Sequence, residues 1–98
     1  MIFFRIYKEI EVSYREFATL LRKLGFRDES VGDRFRFVSD AHNSIVLLHK
    51  PSSQDDKVLK GDFAGYSYAL SEQGVINEPD DLAKMIEAER LALTASAA

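Results

Sequence analysis

The stretch from Gly32 to Pro51, GDRFRFVSDAHNSIVLLHKP, constrains the fold more than any other part of the chain. Phe35 and Phe37 alternate with Arg34 and Arg36. A second β-rich run, Ile45-Val46-Leu47-Leu48, follows the turn-like residues Ser39-Asp40-Ala41-His42-Asn43. Two such runs separated by turn residues predict an antiparallel hairpin. Ala41-His42 is poor chemistry for a two-residue turn that needs positive φ, so a four-residue loop with Ser39 opposite Ser44 is expected. That register sets Phe35 opposite Leu48 and Phe37 opposite Val46 on a face expected to be buried. On the other face it sets Arg34 opposite His49, Arg36 opposite Leu47, and Val38 opposite Ile45. A three-residue loop would shift the register and break the Arg34–His49 pair.

Residues 2–12, IFFRIYKEIEV, also alternate: Ile2, Phe4, Ile6, Ile10 and Val12 share one side, with Lys8 the exception. This predicts an N-terminal strand over residues 1–12. Ser13 and Glu16 then form an S-x-x-E capping box. Tyr14, Phe17, Ala18, Leu21 and Leu24 make one apolar stripe with Leu20 on its margin, and Gly25 stands where a helix commonly ends. A helix over 13–24 is expected. Residues 26–31 read as a short strand leading to a turn at Val31-Gly32. A second helix is expected over 62–73, with Phe63, Tyr66, Ser67 and Leu70 inward and Gly74 as its stop. A third is expected over 78–93, with Asn77 as its cap and Leu82, Met85, Ile86 and Leu93 as a narrow seam.

Ninety-eight residues predict a single domain, 1–98, with a modest core. Cysteine is absent, so neither disulfides nor a cysteine zinc site is expected. The apolar run at the start ends at Arg5, too short for a signal peptide or a membrane span, so the expectation is a soluble, cytoplasmic protein with no membrane partner. The formal net charge of −3 argues against bulk attraction to nucleic acid. The charge is uneven, however: residues 61–98 hold seven Asp/Glu against two Lys/Arg, and residues 13–60 hold seven against nine. A basic patch is therefore small and local.

Several residues together resemble a known family. They are Tyr14-Arg15-Glu16-Phe17, Leu20-Leu21, Leu24-Gly25-Phe26, Gly32 before an aromatic strand, Val58-Leu59-Lys60 before the second helix, and Gln73-Gly74-Val75-Ile76. Over residues 13–76 the chain resembles the HicA (YcfA-like) family of small toxin ribonucleases. The resemblance implies an α+β, dsRBD-like fold: an antiparallel sheet packed on one face by two helices, here with an extra N-terminal strand and a C-terminal helix. It also implies an RNA substrate and a HicB-like antitoxin partner. In that family a Gly-Ser-His or similar run enters the second strand and the histidine is catalytic. Here the run is Gly32-Asp33-Arg34-Phe35. Arg34 stands at the histidine position, and arginine stays protonated, so it cannot take a proton from a ribose hydroxyl.

The candidate residues follow. His49, the expected cross-strand neighbour of Arg34, is the one histidine placed to restore catalysis; its bland reading is a solvent-facing strand residue. His42 reads as a loop residue. Arg34, Arg36, Lys50, Lys57 and Lys60 are candidates for RNA backbone contacts. The alternative is solvated charge paired with Asp33, Asp55 and Asp56. Val38, Ile45 and Leu47 share the arginine face and suggest a covered surface. The cover is residues 2–12, the third helix, a second copy, or an antitoxin-like partner. No ligand cluster suggests a metal, and no phosphate-binding or dinucleotide motif suggests a cofactor. Three readings stand: an RNA-binding HicA-like protein with cleavage weak or lost, a protein-interaction module on the same fold, and a ribonuclease using His49.

Overall fold

The computed structural model of the chain describes residues 10–49 and 51–97. In chain order these form α1 (Tyr14–Lys23), β1 (Arg27–Asp28), β2 (Arg34–Ser39), β3 (Ser44–His49), α2 (Lys60–Glu72) and α3 (Asp80–Ala97). The strands make one antiparallel sheet in the order β1-β2-β3. The architecture is α+β and consistent with the dsRBD-like expectation. The expected N-terminal strand lies, from residue 1 to 9, outside the described residues. Residues 10–12 run into α1 with no strand of their own.

The hairpin has the expected register at every position, from Arg34↔His49 to Ser39↔Ser44. Phe35, Phe37, Val46 and Leu48 are buried on one face. The loop is the four residues Asp40–Asn43, closed by the Asn43 N–H donating to the Asp40 carbonyl at 3.2 Å. Asn43 sits at φ 50°, a left-handed conformation that asparagine tolerates better than most residues.

α1 leaves none of its first-turn N–H groups unmatched. The Ser13 hydroxyl accepts from Glu16 N–H at 3.1 Å, and the Glu16 carboxylate accepts from Ser13 N–H at 3.1 Å. Tyr14 and Arg15 N–H donate to the carbonyls of Asp56 and Gln54, each at 3.0 Å. The 51–57 loop is thereby pinned to the helix start. Both α1 and α2 end in the same device. Phe26 N–H reaches back to Leu21 O and Gly25 N–H to Arg22 O; Val75 N–H reaches Leu70 O and Gly74 N–H reaches Ser71 O. This pair of bonds needs a left-handed residue, supplied by Gly25 at φ 92° and Gly74 at φ 78°.

Phe17 is the centre of the core. Its ring stacks on Phe35 at 6.4 Å and meets Phe63 at 5.9 Å and Tyr66 at 6.4 Å. Phe35 in turn touches Phe37 at 4.8 Å and Tyr14 at 5.3 Å. Leu20, expected on the margin of the stripe, is buried, and Leu24, expected within it, is only half-buried. The buried face of α1 is wider than one stripe because α3 packs on it as well as the sheet.

α3 settles one of the expected covers. It packs on α1 and α2, not over the arginine face. Leu82 and Ile86 are fully buried in the shared core, while Met85 and Leu93 of the expected seam are exposed. Its start is organised by Asp81, whose carboxylate accepts the N–H groups of Asn77 at 3.1 Å and Glu78 at 3.0 Å. Asn77, expected to cap the helix, is thus on the donating side through its backbone. Farther along, Arg90 donates to both carboxylate oxygens of Glu16, at 2.5 and 2.9 Å, and to the Glu11 carbonyl, while Lys23 pairs with Glu89.

Candidate interaction surface

The face of the sheet turned away from α1 and α2 is built by three antiparallel segments in register. β1 is short, but its pairing with β2 runs past Asp28. Glu29 N–H donates to Arg36 O at 2.9 Å, and Val31 and Arg34 exchange both backbone bonds across Gly32-Asp33. Between them the Arg36 N–H turns to the Ser30 hydroxyl at 3.0 Å. Side chains alternate across a pleated sheet, so the outward positions form three rows. The first row is Arg27, Val38, Ile45; the second is Glu29, Arg36, Leu47; the third is Val31, Arg34, His49.

Charge on this face is mostly matched from within. Arg27 donates to Glu29 Oε2 at 2.8 Å and also pairs with Asp40. Those bonds hold the Arg27 guanidinium pKa above its ordinary value, the Glu29 hydrogen bond contributing most. The other Glu29 oxygen lies 3.6 Å from Arg36. Arg34, the third guanidinium, is exposed and has no ion pair or side-chain hydrogen bond among the described residues. It stands opposite an exposed His49.

The apolar members are uneven. Val31 is 76% exposed, Ile45 50% and Leu47 38%, whereas Val38 is buried. Val38 was expected to be open with the other two. Its row neighbours are Ile45 and Arg27, and the Arg27–Asp40 pair draws the arginine stem alongside it. Glu29, Ser30, Val31, Arg34, Arg36 and Leu47 line a shallow groove of about 620 Å³.

The candidates named from sequence are not all brought together. Arg34, Arg36, Ile45, Leu47 and His49 share the face. Lys57 is bridged to Ser13 beside the start of α1, and Lys60 opens α2, so both belong to the helix layer. Lys50 lies outside the described residues. His42 is half-buried in the hairpin loop with its Nδ1 3.3 Å from the Ser39 hydroxyl, a local loop contact. Arg27, Glu29, Ser30 and Val31 are on or beside the face and were not singled out from sequence. Their signal was present: Gly32-Asp33 as a two-residue turn places Glu29 opposite Arg36 and Val31 opposite Arg34.

The free side of β3 is interrupted at its middle. The Tyr66 hydroxyl accepts from Leu47 N–H at 3.0 Å and donates to Leu47 O at 2.7 Å. A side chain from α2 thus occupies the place of an added strand. Among the described residues no group of His, Asp and Glu is arranged to hold a metal, and no helix is long and apolar enough to cross a membrane. Comparison with family models, with curated proteins and with solved structures matches the chain to none of them.

Proposed function

We propose that this chain is a protein-interaction module that receives a protein partner on the open face of its sheet. The observation that carries the reading is the composition of the three rows. Each holds an aliphatic side chain, and two of the three guanidinium groups are already committed to Glu29. Arginines interleaved with aliphatic residues make a protein interface, where apolar contact supplies the energy and charge fixes the register. The Tyr66 clasp on Leu47 favours docking by side chains on the face over strand addition at the edge. The resemblance of residues 13–76 to HicA suggests a partner of the HicB-like antitoxin type.

The test is co-expression with the product of the neighbouring reading frame, followed by light-scattering chromatography. Leu47→Asp places a charge at the centre of the face and should weaken the complex roughly 100-fold, about 3 kcal/mol. The melting curve of the isolated chain should hold, because Leu47 points outward. A complex that survives Leu47→Asp unchanged rejects the reading.

A second reading is favoured by one observation. Arg34 and Arg36 lie two residues apart on one strand face, about 7 Å, with His49 beside Arg34. This is the arrangement for backbone contacts by an RNA-binding protein of HicA type with cleavage weak or lost. Salt-dependent RNA binding that falls in Arg34→Ala/Arg36→Ala supports it; binding that ignores salt and both substitutions rejects it. Cleavage would have to run through His49 and disappear in His49→Ala.

A further inference from the structure

We infer that the segment seated on this face is an acidic-apolar stretch of polypeptide that sets a single carboxylate against Arg34 and aliphatic side chains against Val31 and Leu47. This rests on the docking reading above. Arg27 is held by Glu29 and Asp40, and Arg36 faces the other oxygen of Glu29. Arg34 alone of the three has no counter-charge among the described residues. It lines the groove together with Val31, Arg36 and Leu47, so whatever fills the groove takes Arg34 out of water. A guanidinium buried without an anion costs more than the aliphatic burial beside it returns. The occupant must therefore bring an anion to that point.

The rest of the groove says what kind of anion. Val31 and Leu47, at 76% and 38% exposure, flank Arg34 and Arg36 and need aliphatic cover. A nucleic-acid strand carries a charge at every step, and the phosphate after the one on Arg34 would meet Arg36, whose charge Glu29 already shares. A polypeptide carries its charge where its sequence puts it. One carboxylate with aliphatic neighbours matches one open cation that has Val31 beside it in its row and Leu47 diagonal to it in the next, with Glu29 left undisturbed. Arg34 also favours a carboxylate geometrically, since its planar fork can hold both oxygens.

The test uses the full chain, immobilised and panned against a display library of random dodecapeptides, with an oligouridylate as the competing nucleic-acid probe. Binders lost in Leu47→Asp are assigned to the face. The inference expects those binders to carry an Asp or Glu next to Leu, Ile or Val. It expects Arg34→Ala to weaken them by about 30-fold or more. It also expects Arg34→Glu to select Lys or Arg at the same peptide position. Face binders with no acidic preference, unchanged in Arg34→Glu, overturn the inference and leave the docking reading standing. No peptide sensitive to Leu47→Asp, or oligouridylate binding that depends on Arg34 and Arg36, overturns the docking reading and the inference with it.

Discussion

Glu16→Gln should remove a measurable share of the acid sensitivity of this fold. The Glu16 carboxylate closes the capping box on Ser13 and takes two hydrogen bonds from Arg90 of α3. One group therefore ties the start of α1 to the third helix. Its pKa falls from 4.5 to about 2, chiefly through the Arg90 hydrogen bonds, with Ser13 assisting and partial burial opposing. A carboxylate with a depressed folded pKa adds stability at pH values above its unfolded pKa. That contribution is lost as the pH falls from the ordinary range toward the folded value. At about 1.4 kcal/mol per unit, the ceiling is roughly 3 kcal/mol. The Arg90 side chain is 42% exposed, so solvent screening reduces this to about 2 kcal/mol. That is a large share of the ~5–15 kcal/mol typical of a small domain. Urea unfolding at pH 7 and pH 3 measures it. The wild type should lose about 1.5 kcal/mol more between those values than Glu16→Gln loses, at unchanged m-value, since part of the contribution survives at pH 3 with a folded pKa this low. Equal losses in the two proteins would refute the reasoning.

Three further outcomes follow from the packing. Tyr66→Phe removes both hydrogen bonds to Leu47 and should cost about 1–2 kcal/mol in urea unfolding; sedimentation at high concentration should reveal self-association through the opened edge, and a monomer of wild-type stability contradicts the clasp. Phe17→Ala empties the position where the rings of Phe35, Phe63 and Tyr66 meet; it should cost about 3–5 kcal/mol, read as a fall in denaturation midpoint, whereas Leu91→Ala on the exposed part of α3 should cost under about 0.5 kcal/mol. Gly25→Ala forces a Cβ onto a residue at φ 92° and should cost about 1 kcal/mol, although nothing stands near the added atom.

How far the sequence could be read depended on how local the determinants were. The hairpin register followed from one turn, because Ala41-His42 excluded the tight alternatives and a period-two pattern fixed the faces. The capping box and both glycine stops were legible for the same reason. β1 was harder, since Arg27-Asp28-Glu29 carries no alternation and its pairing is completed partly by the Ser30 side chain. α3 was ambiguous because two buried residues, Leu82 and Ile86, fit either side of the sheet; Lys23–Glu89 and Glu16–Arg90 join residues 66 and 74 positions apart. On the candidate surface, Arg34, Arg36 and the two exposed aliphatic residues of β3 were readable. The neutralising role of Glu29 was not, because it depends on β1 lying beside β2. Lys57 and Lys60 were grouped with the arginines by charge alone, and the fold places them in the helix layer.

The central claim is that the outer sheet face receives a partner, and site-specific photocrosslinking tests it most directly. A benzophenone amino acid is placed at Leu47 in one protein and at Glu72, exposed on α2, in another. Each is irradiated with the co-expressed partner. The account predicts a covalent adduct from position 47 and none from position 72. An adduct from 72 alone would put the partner on the helix layer and contradict it.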